Sequence, residues 1–125
     1  MPVKNAITGA AELVVAWEDT AEAVRSGDVP VLATPRVVSL CEQASVEALA
    51  GVLEDGRTSV GNRVEVAHLA PVAVGSKVRA VASLERAEGR RLVFSVSVSD
   101  DYGLVAAGKV TRVVVDRAAF IDKAR

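Results

Sequence analysis

The stretch VLATPRVVSLCEQASVEALAGVL, residues 31–53, decides how this chain folds. Wound at about 100° per residue, its apolar members spread over more than half of the circumference. Val37, Val38, Cys41, Ala44, Ala48, Leu49 and Val52 gather on one side, and Ser39, Gln43, Glu47 and Glu54 on the other. Thr34 precedes Pro35, which pairs a good helix cap with a residue well tolerated at the first helical position. The spacing predicts a helix from there to about Leu53, stopped by Glu-Asp-Gly at 54–56. One member is out of place. Glu42 falls in the apolar arc between Val38 and Leu49, with Leu53 and Val46 flanking it.

On either side of this helix the pattern is different. AAELVVAW (10–17) reads as a first strand, with Leu13, Val15 and Trp17 on one face and Glu12 on the other. Thr20 can cap a short helix through Arg25, ended by Ser-Gly-Asp. From residue 57 to about 115 the chain is strand-like. Val60, Asn62, Val64, Val66 and His68 alternate onto one face, Pro71 to Gly75 makes a bend, and SKVRAVASLERA continues as a strand. After a tight turn at Glu88-Gly89-Arg90, Leu92, Phe94, Val96 and Val98 alternate inward against Ser95, Ser97 and Ser99 outward. Asp100-Asp101-Tyr102-Gly103 turns the chain into a last strand, and DRAAFIDKAR closes it as a terminal helical turn or two. A run of antiparallel strands beside one long helix is α+β, with the sheet wrapped around the helix, the arrangement called a hotdog.

Size and composition agree with one domain spanning all 125 residues. Half of the residues are apolar and a quarter charged, as in a globular domain. A net charge of −1 gives no electrostatic footprint for nucleic acid. No run of about 18 apolar residues predicts a membrane span, and MPVKNAITGAAELVV lacks the pattern of a secretory leader. The single Cys41 excludes an intrachain disulfide and fits a reducing cytoplasm. One His and one Cys argue against a zinc site within the chain. Aromatic residues are few, so Val and Ala must fill the core. Such a core gains from burying a face against a second copy, which points to a dimer.

Five residues could carry chemistry. Glu42 either reaches around to water or a basic partner, or points into a cleft where burial suits a carboxyl to proton transfer or attack. His68 is either a satisfied core or interface residue or, as the only His, the one side chain ready for proton transfer near neutral pH. Thr34 reads as an N-cap. Equally, it sets a hydroxyl at a helix N-terminus, where developing negative charge is favoured. It lies eight residues from Glu42, about 12 Å along a helix axis. Arg112 shares a strand face with Val110 and Val114 and calls for an anionic partner, Glu42 or a substrate phosphate. Gly61 interrupts a strand, which marks a bulge or a backbone closely approached by something else. Cys41 reads as a small buried hydrophobe.

These residues occur in a recognisable order. ATP at 33–35, Glu42, SVGN at 59–62, VAHLAPVAVGSKV at 66–78, EGRRLVFSVSVSD at 88–100 and VTRVVVDRAAF at 110–120 resemble the fluoroacetyl-CoA thioesterase family of hotdog proteins, over roughly residues 30 to 122. The resemblance implies that Thr34, Glu42 and His68 are catalytic. It also implies that Gly61 lines the acyl site and that Arg112 belongs to the active-site network. It further implies a homodimer with acyl-CoA bound along the subunit interface, and no cofactor apart from the CoA of the substrate. Two positions depart from the family's prototype. Pro35 follows the Thr where the prototype has Gly, and RSGDVP (25–30) has none of the prototype's lid phenylalanines. They bear on fluoroacetyl selectivity more than on fold or thioester chemistry. The expectation is hydrolysis of a small acyl-CoA or related thioester. The alternative is a hotdog that binds an acyl-CoA or other small ligand without turning it over. Hydration of an enoyl thioester ranks last, because HLAPVAVG has no Asp to pair with His68.

Overall fold

Strand alternation builds the sheet, and its small residues let the helix close on it. The computed structural model describes residues 6–125, so residues 1–5 of the N-terminal stretch read for a leader lie outside the described residues. Five strands run β1 (Thr8–Val14), β2 (Arg57–His68), β3 (Lys77–Glu88), β4 (Arg91–Asp100) and β5 (Gly103–Asp116). They form one antiparallel sheet in the order β1-β3-β4-β5-β2, so β1 and β2 are its edges. Leu92, Phe94, Val96 and Val98 of β4 are all buried, with Ser95 and Ser99 exposed on the opposite face. Strand pairing aligns Leu84, Ala82 and Ala80 of β3, and Val110 and Ala106 of β5, with that inner row. The concave face is thus lined by Val and Ala around one fully buried aromatic, Phe94.

Helix α2 (Thr34–Ala48) lies across this face and packs mainly on β1 and β3. Its buried residues Val37, Leu40, Cys41, Ala44, Ser45 and Ala48 recur at helical spacing. Contact with β1 is as close as backbones allow. A Cβ at Gly9 would run into the backbone of Ala44 and Ala48. This is the hotdog arrangement, a curled antiparallel sheet around a helix.

Several boundaries differ from expectation. β1 ends at Val14, and Trp17 sits in a single 3-10 turn (Trp17–Asp19) with its side chain 54% exposed. The backbone of Val15 still tracks the sheet by bonding Ser76 and Gly75, but the chain then turns off toward α2. α2 stops at Ala48, not near Leu53. Residues 49–53 form turns, and Gly51 adopts a φ of +75°, which continues no helix. Ala33, not Thr34, is the N-cap, with Thr34 and Pro35 already inside the first turn. The short helix α1 (Ala21–Val24) is capped as expected by Thr20, whose Oγ accepts from the Ala23 amide at 3.2 Å. The closing helix α3 (Arg117–Asp122) is capped by Asp116.

The largest difference is in β2. A register shift between Gly61 and Arg63 breaks the single alternation read from Val60 to His68. Ser59 and Gly61 oppose Val114 and Arg112, while Val64, Val66 and His68 oppose Val110, Gly108 and Ala106. Ser59, Gly61, Val64, Val66 and His68 therefore share the inner face, and Val60 does not. A bulge inserts one residue and reverses the parity of what precedes it.

Candidate functional site

Two pairs of polar side chains stand on the inner face of β2, one at its end and one at its bulge. At the end, the Thr34 hydroxyl meets His68 Nδ1 at 2.8 Å. Because Ala33 holds the N-cap position, the Thr34 side chain faces the strand instead of folding back onto the helix. The helix mouth is fixed from outside. Asp19 accepts the Ala33 amide on its carbonyl at 2.9 Å and the Arg36 Nε on its carboxylate at 3.1 Å. His68 Nε2 is buried and has no hydrogen-bond partner. An orphaned buried polar atom costs about 1–3 kcal/mol, which a bound ligand group would recover. Thr34 and His68 line a cleft of about 340 Å³ whose other walls include Val29, Val31, Leu69 and Pro71. An apolar hollow with a few convergent polar groups is the form of a small-molecule site.

At the bulge, Glu42 faces Arg112. The Arg112 Nη1 lies 3.4 Å from Glu42 Oε2. Arg112 also donates from Nε to Ser59 Oγ at 2.8 Å and from Nη2 to the Ser59 carbonyl at 3.1 Å. The guanidinium is almost wholly buried at 8% exposure, whereas the Glu42 side chain keeps 35%. Burial lowers the Arg112 pKa and the facing Glu42 charge opposes that shift. Gly61 explains why the carboxylate can sit there. A Cβ at Gly61 would fall on Glu42 Oε2 and lie 3.3 Å from its carboxyl carbon. Gly61→Ala is therefore expected to push the carboxylate off its seat and to slow about 10²-fold any reaction that the carboxylate carries out, because displacements of about 1 Å cost that much. A rate assay beside a melting curve checks it, and an unchanged rate would show that the close approach has no consequence.

The structure brings Thr34 to His68, and Glu42 to Arg112 and Gly61. Among the described residues, no hydrogen bond or ion pair joins the two groups within one chain. Gly61 opposes Arg112 and His68 opposes Ala106, six β5 residues apart, or roughly 20 Å along the strand. Both expectations for Gly61, a bulge and a close approach, are met at once. The N-cap reading of Thr34 is replaced by the bond to His68. Cys41 is fully buried, and desolvation together with the neighbouring Glu42 charge pushes its thiol up to about 11, in keeping with a small buried hydrophobe. Sequence reading passed over Ser59 and the Asp19–Arg36 pair. Ser59 lies two residues before Gly61, and only the strand pairing shows that both oppose β5 residues of the Arg112 face. Among the described residues, no group of three or more His, Cys, Asp or Glu could hold a metal ion, and no helix is long and apolar enough to cross a membrane.

Comparison with known proteins places this chain. The family model for fluoroacetyl-CoA-specific thioesterases matches residues 15–118. A fluoroacetyl-CoA thioesterase of Streptantibioticus cattleyicolor is 38% identical over 95 residues, covering 76% of this chain and 68% of that protein. Among solved structures, a fluoroacetyl-CoA thioesterase superposes with a TM-score of 0.84 at 30% identity, covering 94% of this chain and 95% of that one. A thioesterase superfamily member from Thermus thermophilus superposes with a TM-score of 0.87 at 32% identity, over 97% of this chain and 90% of that one.

Proposed function

The chain belongs to the family of fluoroacetyl-CoA-specific thioesterases and is a thioester hydrolase, and from that premise we propose that two copies of it assemble a site for a small acyl-CoA. In this reading Glu42, His68 and Thr34 are catalytic, and Gly61 and Arg112 hold the substrate. The observation that carries it is the division along β2, with a hydroxyl–imidazole pair at one end and a carboxylate–guanidinium pair at the bulge. Each pair lacks the other's chemistry. Two copies that join through the edge strand β2 about a twofold axis run antiparallel. The His68 end of one strand then lies beside the Arg57 half of the other. With the axis midway between the bulge and His68, the bulge of one strand, where Glu42 sits, lies opposite the partner's His68.

The chemistry follows from the groups. The Glu42 carboxylate attacks the thioester carbonyl or takes the proton of an attacking water. His68, with Nδ1 held by Thr34, offers Nε2 for the proton that moves between water and the departing CoA sulfur. The Gly61 backbone lies against the Glu42 carboxylate, and its amide is the donor for the developing oxyanion in this reading. No tightly held cofactor is called for, since CoA arrives as part of the substrate. A cytoplasmic setting fits both the substrate and the free Cys41. Fluoroacetyl selectivity is no part of the reading, because Pro35 and the RSGDVP stretch depart from the prototype.

Thiol release measured across acetyl-, propionyl- and fluoroacetyl-CoA tests the function, with sedimentation to size the assembly. Turnover by a particle of twice 13.0 kDa or a multiple of it is expected. Stabilisation by these thioesters with no thiol released would favour a binding protein instead.

A further inference from the structure

The geometry points to Ser59 as a positioning residue for the hydrolysis, one that aims Arg112 at Glu42; this rests on the reading of Glu42 as catalytic. Arg112 has three guanidinium nitrogens, and Ser59 takes two of them. Its Oγ accepts from Nε at 2.8 Å and its carbonyl from Nη2 at 3.1 Å. Only Nη1 is left, and it faces Glu42 Oε2 at 3.4 Å. The lengths rank the contacts. At 2.8 Å the bond to Ser59 is a full hydrogen bond, whereas 3.4 Å to Glu42 is a weak one. The guanidinium is thus anchored on Ser59, and its direction toward the carboxylate is a consequence of that anchor. A planar fork with two of its arms fixed has little rotamer freedom left, so Glu42 meets a charge that is already in place.

The backbone supports the same reading. Ser59 opposes Val114 and Gly61 opposes Arg112, so both residues precede the bulge and face inward because of it. Ser59 also lines a second cleft of about 310 Å³, with Val46, Leu49 and Leu53 along its apolar side. The anchor therefore stands at a hollow, not in the packed core, where a serine would act only on stability.

A double-mutant cycle separates positioning from structure. The variants are Ser59→Ala, Ser59→Thr, Arg112→Gln, the double variant Ser59→Ala with Arg112→Gln, and Glu42→Gln as a control. Each is assayed for thiol release from acetyl- and propionyl-CoA and for its melting temperature. Ser59→Ala is expected to lower kcat about tenfold with KM little changed, and to lower the melting temperature by a few degrees because the buried Arg112 Nε is left without its acceptor. Ser59→Thr, which keeps the acceptor, is expected to recover most of the rate. The double variant is expected to be no slower than Arg112→Gln alone, because Ser59 acts only through Arg112. Losses that multiply in the double variant, a threonine that fails to rescue, or a wild-type rate in Ser59→Ala would each overturn the assignment. If Glu42→Gln keeps full rate, or the unmodified protein releases no thiol, the catalytic reading itself falls and this one with it. If Glu42→Gln is slow while Ser59→Ala is not, only the role of Ser59 falls.

Discussion

Glu42→Gln is expected to lower kcat about 10³-fold and leave the fold in place, the scale on which a lost general base or nucleophile is felt. Glutamine has the volume of glutamate and an amide oxygen that can accept from Arg112 Nη1, so the site keeps its shape. What it loses is the negative charge and the lone pairs that attack a carbonyl or draw a proton from water. Removing one member of a buried ion pair usually costs several kcal/mol. Here the cost is expected to be smaller. Glu42 is 35% exposed, and Arg112 keeps both bonds to Ser59. A melting temperature within a few degrees of the unmodified protein, beside a rate near background, is the expected pair of results. A folded variant with a near-normal rate would remove Glu42 from the chemistry.

His68→Ala is expected to lower kcat about 10²-fold or more, with a smaller effect on KM. His68 is the only His of the chain, and an imidazole is the side chain that general acid–base catalysis uses most often. Its Nε2 is buried without a partner, so a substrate or water is the natural recipient of its hydrogen-bonding capacity. The apolar walls of the cleft, Val29, Val31 and Leu69, do not depend on it and go on binding substrate. His68→Asn, which retains a polar atom for Thr34, serves as the check on folding. Equal losses in KM and none in kcat would make His68 a binding residue and no more.

What the sequence made legible was periodic or chemically singular. The alternation of β4 held from Leu92 to Val98 because nothing interrupts it. Glu42 stood out as a charge in an apolar arc, and a basic partner does meet it there. Arg112 was placed on the face with Val110 and Val114, and it occupies that face. The failures come from contacts that no local pattern encodes. Thr34 looks like a cap because caps are local, yet its hydroxyl bonds a histidine 34 residues away. Apolar spacing extends α2 to Leu53, although the helix ends at Ala48 and Gly51 turns the chain. β2 was read with one parity because a bulge is a property of two strands, and β5 is more than 30 residues further along the chain. Ser59 was passed over for the same reason. A serine before a bulge faces inward only once the partner strand is known. Gly9, which lets α2 rest on β1, carries no signal beyond its own smallness.

In the proposed dimer the carboxylate pair of one copy and the imidazole pair of another serve one thioester. Co-expression of Glu42→Gln and His68→Ala chains under separate tags, followed by a thiol-release assay of the mixture, tests it most directly. Neither variant alone has a complete site. A mixed dimer regains one if the groups come from different copies, so random pairing returns roughly a quarter of the unmodified activity. That recovery is the result expected here. A mixture with no more activity than its two components would mean that Glu42 and His68 must belong to the same chain, and would contradict the account.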